Sequence, residues 1–234
     1  GQPEEYRSLA LQAKRALFQG QWRQAQEFSN RGQELALRQR NFSMAAILAS
    51  ERTLNNATLR PATSGAPTLA LSPLIQQALA FERNQETLST AGLALALGGN
   101  LAQAQTLQAE LARHYPLDTL VNVVWLPVQR AALALRSGQA AQALEHLRPV
   151  ERYENGADFW PQYLRGLAYL QLRAGPEAIG EFRKITEHRS YESLSPLWPL
   201  AHLGLARAMA LSGNAAESKK AYEAFFALWK EADA

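Results

Sequence analysis

One motif recurs four times along this 234-residue chain: an apolar helical stretch, a small polar turn, then a second helical stretch with a small residue at a fixed offset. It is written Gly99-Asn100-Leu101-Ala102-Gln103-Ala104, Ser137-Gly138-Gln139-Ala140-Ala141-Gln142-Ala143, Ala174-Gly175-Pro176-Glu177-Ala178 and Ser212-Gly213-Asn214-Ala215-Ala216-Glu217-Ser218. The anchors Ala104, Ala143, Ala178 and Ser218 lie 39, 35 and 40 residues apart. A period of roughly 20–50 residues is the signature of a stacked array of supersecondary units. One helical hairpin cannot bury its own apolar face, so each unit needs its neighbours. Serial stacking completes the core and predicts an all-α, right-handed αα-superhelix with a concave surface.

Composition supports helices throughout. Ala and Leu carry most of the 47% hydrophobic content and have the highest helix propensities. Runs of the β-branched residues that strands favour are absent. Apolar spacing of three and four predicts helices over residues 4–19, 22–38 and 42–59. Residues 61–68 read as loop, and Ser72-Pro73 reads as the start of a short helix to 81. Further helices are predicted over 85–97, 101–114, 139–148, 158–173, 176–188, 197–211 and 214–231, with a turn over 151–158. Asp118-Thr119 caps another helix reaching 136, and Pro127 inside it predicts a kink or a separate first turn. That makes about twelve helices, or six hairpins, in a single domain over residues 2–234. The repeats are degenerate over 4–84 and clearer over 85–116, 118–150, 158–189 and 196–231. Gly1, standing where Met would, reads as a cloning scar on a piece of a longer protein.

Several function classes are disfavoured. The formal net charge is +3, with no block of five like charges and no clustered basic face for nucleic acid. With no cysteine there is no disulfide framework, thiolate metal site or Cys nucleophile. No apolar run reaches the roughly 18 residues of a membrane span, and residues 1–20 read as an amphipathic helix, not a signal peptide. A soluble domain is expected, cytoplasmic or extracytoplasmic. His114, His146, His188 and His202 show no metal-ligand spacing, and three of them sit near predicted helix C-termini, where imidazole complements the dipole. Neither a P-loop nor a nucleophile elbow occurs. Glu177 and Glu181 read as an exposed helix face. No catalytic residue, metal or cofactor is expected.

Gly166, Tyr169, Ala178 and Phe182 follow the Gly, Tyr, Ala, Phe order of the tetratricopeptide repeat, which the chain thus resembles. The 85–116 repeat supplies Gly92, Ala104 and Pro116. The last supplies Leu205, Ala206, Gly213 and Tyr222, with Ser218 in place of the usual Ala. The repeat's usual early Trp is missing in register, and Arg173 replaces a turn residue. Longer strings, among them His114-Tyr115-Pro116-Leu117-Asp118, Phe182-Arg183-Lys184-Ile185-Thr186-Glu187-His188 and Ala227-Leu228-Trp229-Lys230-Glu231, are similar to the C-terminal tetratricopeptide-like region of large bacterial regulatory proteins. Those carry a eukaryotic-like serine/threonine kinase domain, or a winged-helix DNA-binding domain, upstream. The resemblance implies a non-catalytic interaction or sensory module that binds a protein or peptide.

It also implies that the first helix of each hairpin faces the concave groove. The predicted partner-binding residues are then Trp125, Val128, Arg136, Trp160, Tyr163, Gln171, Leu203 and Arg207. Trp and Tyr beside Arg is the composition of interface hot spots, and Arg pairs with carboxylate or phosphate in bidentate fashion. Trp125 and Trp160 equally fit packing between hairpins. Trp22, Trp198 and Trp229 read as inter-helix packing or end caps. Phe225, Phe226 and Trp229 cannot all face inward. The alternative is a small-ligand sensor of a transcriptional regulator, which a closed cavity near Trp125 and Trp160 would favour.

Overall fold

A computed structural model describes residues 5–59, 71–154 and 156–233. Twelve α-helices follow in chain order among them: α1 (Glu5–Phe18), α2 (Trp22–Arg38), α3 (Phe42–Leu59), α4 (Leu71–Phe81), α5 (Gln85–Leu97) and α6 (Leu101–His114), then α7 (Leu126–Arg136), α8 (Ala140–Leu147), α9 (Trp160–Gln171), α10 (Gly175–Thr186), α11 (Leu197–Leu211) and α12 (Ala215–Leu228). The expected loop at 61–68 and the turn residue Asn155 lie outside the described residues. α4 opens one residue early, so Pro73 stands in its first turn, where a missing N–H costs nothing.

Two stretches depart from regular helix. A π-helical segment, Val121–Trp125, precedes α7, and the Leu126 N–H reaches back five residues to the Val121 carbonyl. Pro127 has no N–H for the carbonyl of residue 123, and its ring would collide with that carbonyl in a regular turn. The wider turn absorbs both problems. The Asp118 carboxylate caps this start by accepting from the Val121 N–H at 2.8 Å. After α8, a 3-10 turn (Arg148–Tyr153) and a four-residue extended segment (Gly156–Phe159) replace the predicted turn and delay α9 by two residues.

Six helix–helix turns share one hydrogen-bond pattern. The N–H of residues 21, 41, 100, 139, 174 and 214 each returns five residues, to the carbonyl of Ala16, Ala36, Leu95, Ala134, Tyr169 and Met209, over 2.8–2.9 Å. This is the Schellman stop, which needs one residue of left-handed backbone. Gly20, Gly99, Gly138 and Gly213 supply it, but Arg40 (φ 57°) and Arg173 (φ 59°) supply it too. The repeat is therefore kept by geometry where the glycine is lost.

Packing is serial. α3 lies on α5, α5 on α7, α7 on α9 and α9 on α11, while α2, α4, α6, α8 and α10 each bridge two odd-numbered helices and α12 packs on α11. One core runs from Leu54 to Ala221. Small and large residues interlock as their alternation predicts. The fully buried Phe182 ring of α10 is clasped by Gly166 of α9 and Gly204 of α11. A Cβ at either glycine would come within 2.6 Å of that ring.

The last hairpin meets the first. Asp233 N–H donates to the Gly20 carbonyl at 3.1 Å, and the Asp233 carboxylate accepts from the Arg23 N–H at 2.5 Å. Phe18 stacks on Trp198 with centroids 5.6 Å apart, and the Arg189 guanidinium lies 4.8 Å and 5.0 Å from the two ring centres. Trp198 and Trp229 thus take the packing and end-cap roles expected of them, while Phe226 is left 63% exposed.

Glu181 is not on a solvated face. It bonds Arg165 at 2.8 Å, and Arg165 also pairs with Glu154. Lys184 reaches Glu181 at 2.9 Å and Glu154 at 3.4 Å. This network, centred on the buried Arg165, ties the end of the 3-10 turn to α9 and α10.

Candidate functional site

Because the odd-numbered helices stand side by side, their one-sided residues converge. Trp160, Tyr163, Leu167 and Gln171 are spaced three, four and four along α9 and so share a face. Arg207 and Leu211 repeat the spacing on α11, and Leu135 and Arg136 come from the last turn of α7. With Leu97 of α5 and the end of α3 at Ala57 and Thr58, they line an open-mouthed cavity of about 770 Å³. Its wall is mainly apolar. Among the described residues, the only charged ones on it are Arg136 and Arg207, and no carboxylate lines it.

The polar groups of this cavity are placed by their neighbours. Gln171 Nε2 donates to the Leu135 carbonyl at 3.3 Å and so bridges α9 to α7. The Arg136 guanidinium lies against the turn at Gly99, where a Cβ would come 3.0 Å from Nη2. Its Nε is buried and donates to nothing among the described residues. Tyr163 packs edge-on against Trp160 and Phe182, each at 6.1 Å. Burial pushes its phenol up to about 12, and Arg207 opposes the shift.

A second cavity, of about 240 Å³, lies at the other end of the same helices. Trp160 lines both. The second is bounded by Lys14 of α1, Glu51 of α3, Glu86 of α5, Trp125, Asp158, and Glu192 and Ser195 of the α10–α11 linker. Four carboxylates therefore face one ammonium. Lys14 stands 3.9 Å from Glu51, but burial, with Glu86 and Glu192 behind it, still pushes the Glu51 carboxyl up. Asp158 takes a left-handed conformation (φ 50°). Its carboxylate accepts from Ser195 Oγ at 2.9 Å, and Ser195 Oγ accepts the Leu197 N–H at 3.2 Å, capping α11. Burial pushes the Asp158 carboxyl up to about 6, the Ser195 bond and Lys14 lower it, and Glu192 raises it.

Of the eight residues singled out from the sequence, Arg136, Trp160, Tyr163, Gln171 and Arg207 line the larger cavity. Trp125 lies instead on the acidic one, beside Trp160. Val128 requires correction: it is fully buried in the core and presents no surface. The π-helical turn before it inserts an extra residue, so Trp125 and positions beyond it do not keep the register of a regular helix. Leu203 is half-buried and lines neither cavity. Sequence reasoning missed Glu51, Asp158 and Glu192, which come from three distant elements and share no local pattern.

His114 and His146 sit in the last turns of α6 and α8, and His188 Nδ1 lies 2.9 Å from the Lys184 carbonyl at the end of α10. No group of three or more His, Asp or Glu among the described residues is arranged to hold a metal ion, and no described helix is long and apolar enough to cross a membrane. Comparison of the chain with protein-family models, with curated proteins and with solved structures finds no match to any of them.

Proposed function

We propose that this chain is a non-catalytic scaffold that binds a protein or peptide segment in the larger cavity, as the interaction module of a bacterial signalling protein of the kinase-associated kind its sequence resembles. One observation carries the reading: five helices of a serial array converge on a mainly apolar, aromatic-walled cavity of about 770 Å³. That volume lies within the roughly 300–1,000 Å³ of ligand sites, and a few placed polar groups in an apolar wall is their usual make-up. Tyr163 and Trp160 offer rigid contact area, and Arg136 and Arg207 offer charge. A general acid–base pair would need two titratable groups sharing the pocket, and among the described residues Tyr163, held protonated, is the only titratable non-arginine side chain on its wall.

The test is selection of a displayed random 12-residue peptide library on the immobilised full chain. Wild type is expected to enrich a family of sequences. Leu167→Arg, which fills the cavity from a half-buried position, is expected to abolish the enrichment while leaving the helical circular dichroism unchanged. Equal enrichment on both proteins refutes the assignment.

A second reading, small-ligand sensing, draws on the cavity that Trp125 and Trp160 share. Its volume of about 240 Å³ falls below the lower bound of roughly 300 Å³ for such sites, which places it behind the first.

A further inference from the structure

The two cavities carry opposite charge. Arg136 and Arg207 stand on the larger one without an ion pair among the described residues, whereas Arg83 and Arg165 each have carboxylate partners. A guanidinium offers a planar fork of donors that fits a carboxylate. Beside the two arginines the wall is apolar, given by Trp160, Leu167 and Leu211. Beyond Trp160 it turns acidic, with Glu51, Glu86, Asp158 and Glu192 against Lys14 alone.

We infer that the segment bound here is an acidic, apolar peptide, held with its carboxylate side chains at the Arg136–Arg207 end and its apolar side chains against Trp160. The inference rests on reading the larger cavity as a peptide site and adds the chemistry and direction of the occupant. Carboxylates placed at the other end would face four like charges in a partly buried setting, where screening is weak. A peptide fits the polar groups better than a fatty acid does. The Gln171 amide and the Tyr163 hydroxyl meet backbone N–H and C=O groups, while an alkyl chain would cover them without a partner.

The test uses the peptides enriched from the displayed 12-residue library, synthesised and titrated by fluorescence anisotropy. The expected consensus has Asp or Glu at one end and Leu, Phe or Trp beside it. Arg136→Gln and Arg207→Gln are each expected to weaken binding about tenfold, the loss of one charge-assisted bond. The double variant Arg136→Glu/Arg207→Glu is expected to select basic in place of acidic peptides, an inversion that unfolding cannot produce. A consensus without acidic residues, or one unchanged by the double variant, overturns this inference and leaves the peptide site standing. Acidic residues at both ends of the consensus overturn the direction. Sodium dodecanoate bound with the same arginine dependence, with no peptide enriched, overturns both readings.

Discussion

Replacing Asp158 by Asn removes a charge and keeps nearly everything else. Asn tolerates the left-handed backbone at φ 50° as well as Asp does, and its carbonyl oxygen still accepts from Ser195 Oγ. What changes is the cost of holding a carboxylate in a buried cavity beside Glu192. Moving the carboxyl from 3.8 to about 6 corresponds to about 3 kcal/mol against folding once the group is ionised, at about 1.4 kcal/mol per unit. The sign follows from proton uptake. Between pH 4 and pH 6 the folded chain holds a proton that the unfolded chain has lost, so stability falls as pH rises through that window and the cost is complete above it. The bond from Ser195, which lowers the carboxyl, is already contained in that net shift. Asp158→Asn is therefore expected to stabilise by about 3 kcal/mol at pH 8 and by almost nothing at pH 3.5. Urea unfolding followed by circular dichroism at both pH values measures the difference, and at pH 8 it corresponds to a rise of about 6–12 °C in Tm for a chain of this size. A variant equally or less stable than wild type at pH 8, or one with the same gain at both pH values, would falsify the account of Asp158 as a charge buried at a cost.

Three further perturbations test the packing. Phe182→Ala empties the space between Gly166 and Gly204 and is expected to cost about 3–5 kcal/mol, whereas Gly204→Ala overpacks the same contact and costs about 1–3 kcal/mol; denaturant midpoints that barely move in both would show that α9, α10 and α11 are not interlocked there. Gly20→Ala places a Cβ 2.7 Å from Ala232 and 2.8 Å from the Trp229 ring, at φ 75°. Hydrogen exchange at residues 229–233 is expected to accelerate in that variant while α5 to α9 stay protected, and unchanged exchange at 229–233 would remove the contact between chain ends from the description.

The periodic part of the fold was legible because helical hairpins write themselves locally. A Gly turn, a small anchor three or five residues on and apolar spacing of three and four all sit within one repeat, so α5 to α12 could be bounded closely. Arg40 and Arg173 show where local reading stops. Left-handed backbone leaves no reliable mark in the side chain when the Schellman bonds themselves enforce it. Pro127 announced a break but not its form, because a kink and a π-helical turn both satisfy a missing N–H. That form then decided the site, since one extra residue turned Val128 into the core. Five of the groove positions fell on one cavity because α9 and the ends of α7 and α11 are regular enough for spacing to fix a face. The acidic cavity had no such signature: its walls are brought together by the meeting of first and last hairpins, which no local pattern encodes.

That meeting has an energetic consequence for both cavities. The acidic one is bounded on one side by Lys14 and Glu51 from the first helices and on the other by Asp158, Glu192 and Ser195 from the last third of the chain, so carboxylates repel across the very gap that the end contacts close. The opposing attractions among the described residues include one stacked aromatic pair with a guanidinium against it, worth about 1–2 kcal/mol together, and two hydrogen bonds from Asp233 and Arg23 worth about 1 kcal/mol each. The packing of Trp229 and Ala232 on Gly20 and the pull of Lys14 on Asp158 add to them. Against them stand the burial of the Asp158 carboxyl, which is the main cause of its upward shift, and the repulsion of Glu51 by Glu192 across the gap. Closure is thus balanced by charge, and protonating Asp158 favours it. Trp160 stands on the wall of both cavities, so whatever fixes its ring from the arginine side also bears on the acidic gap behind it.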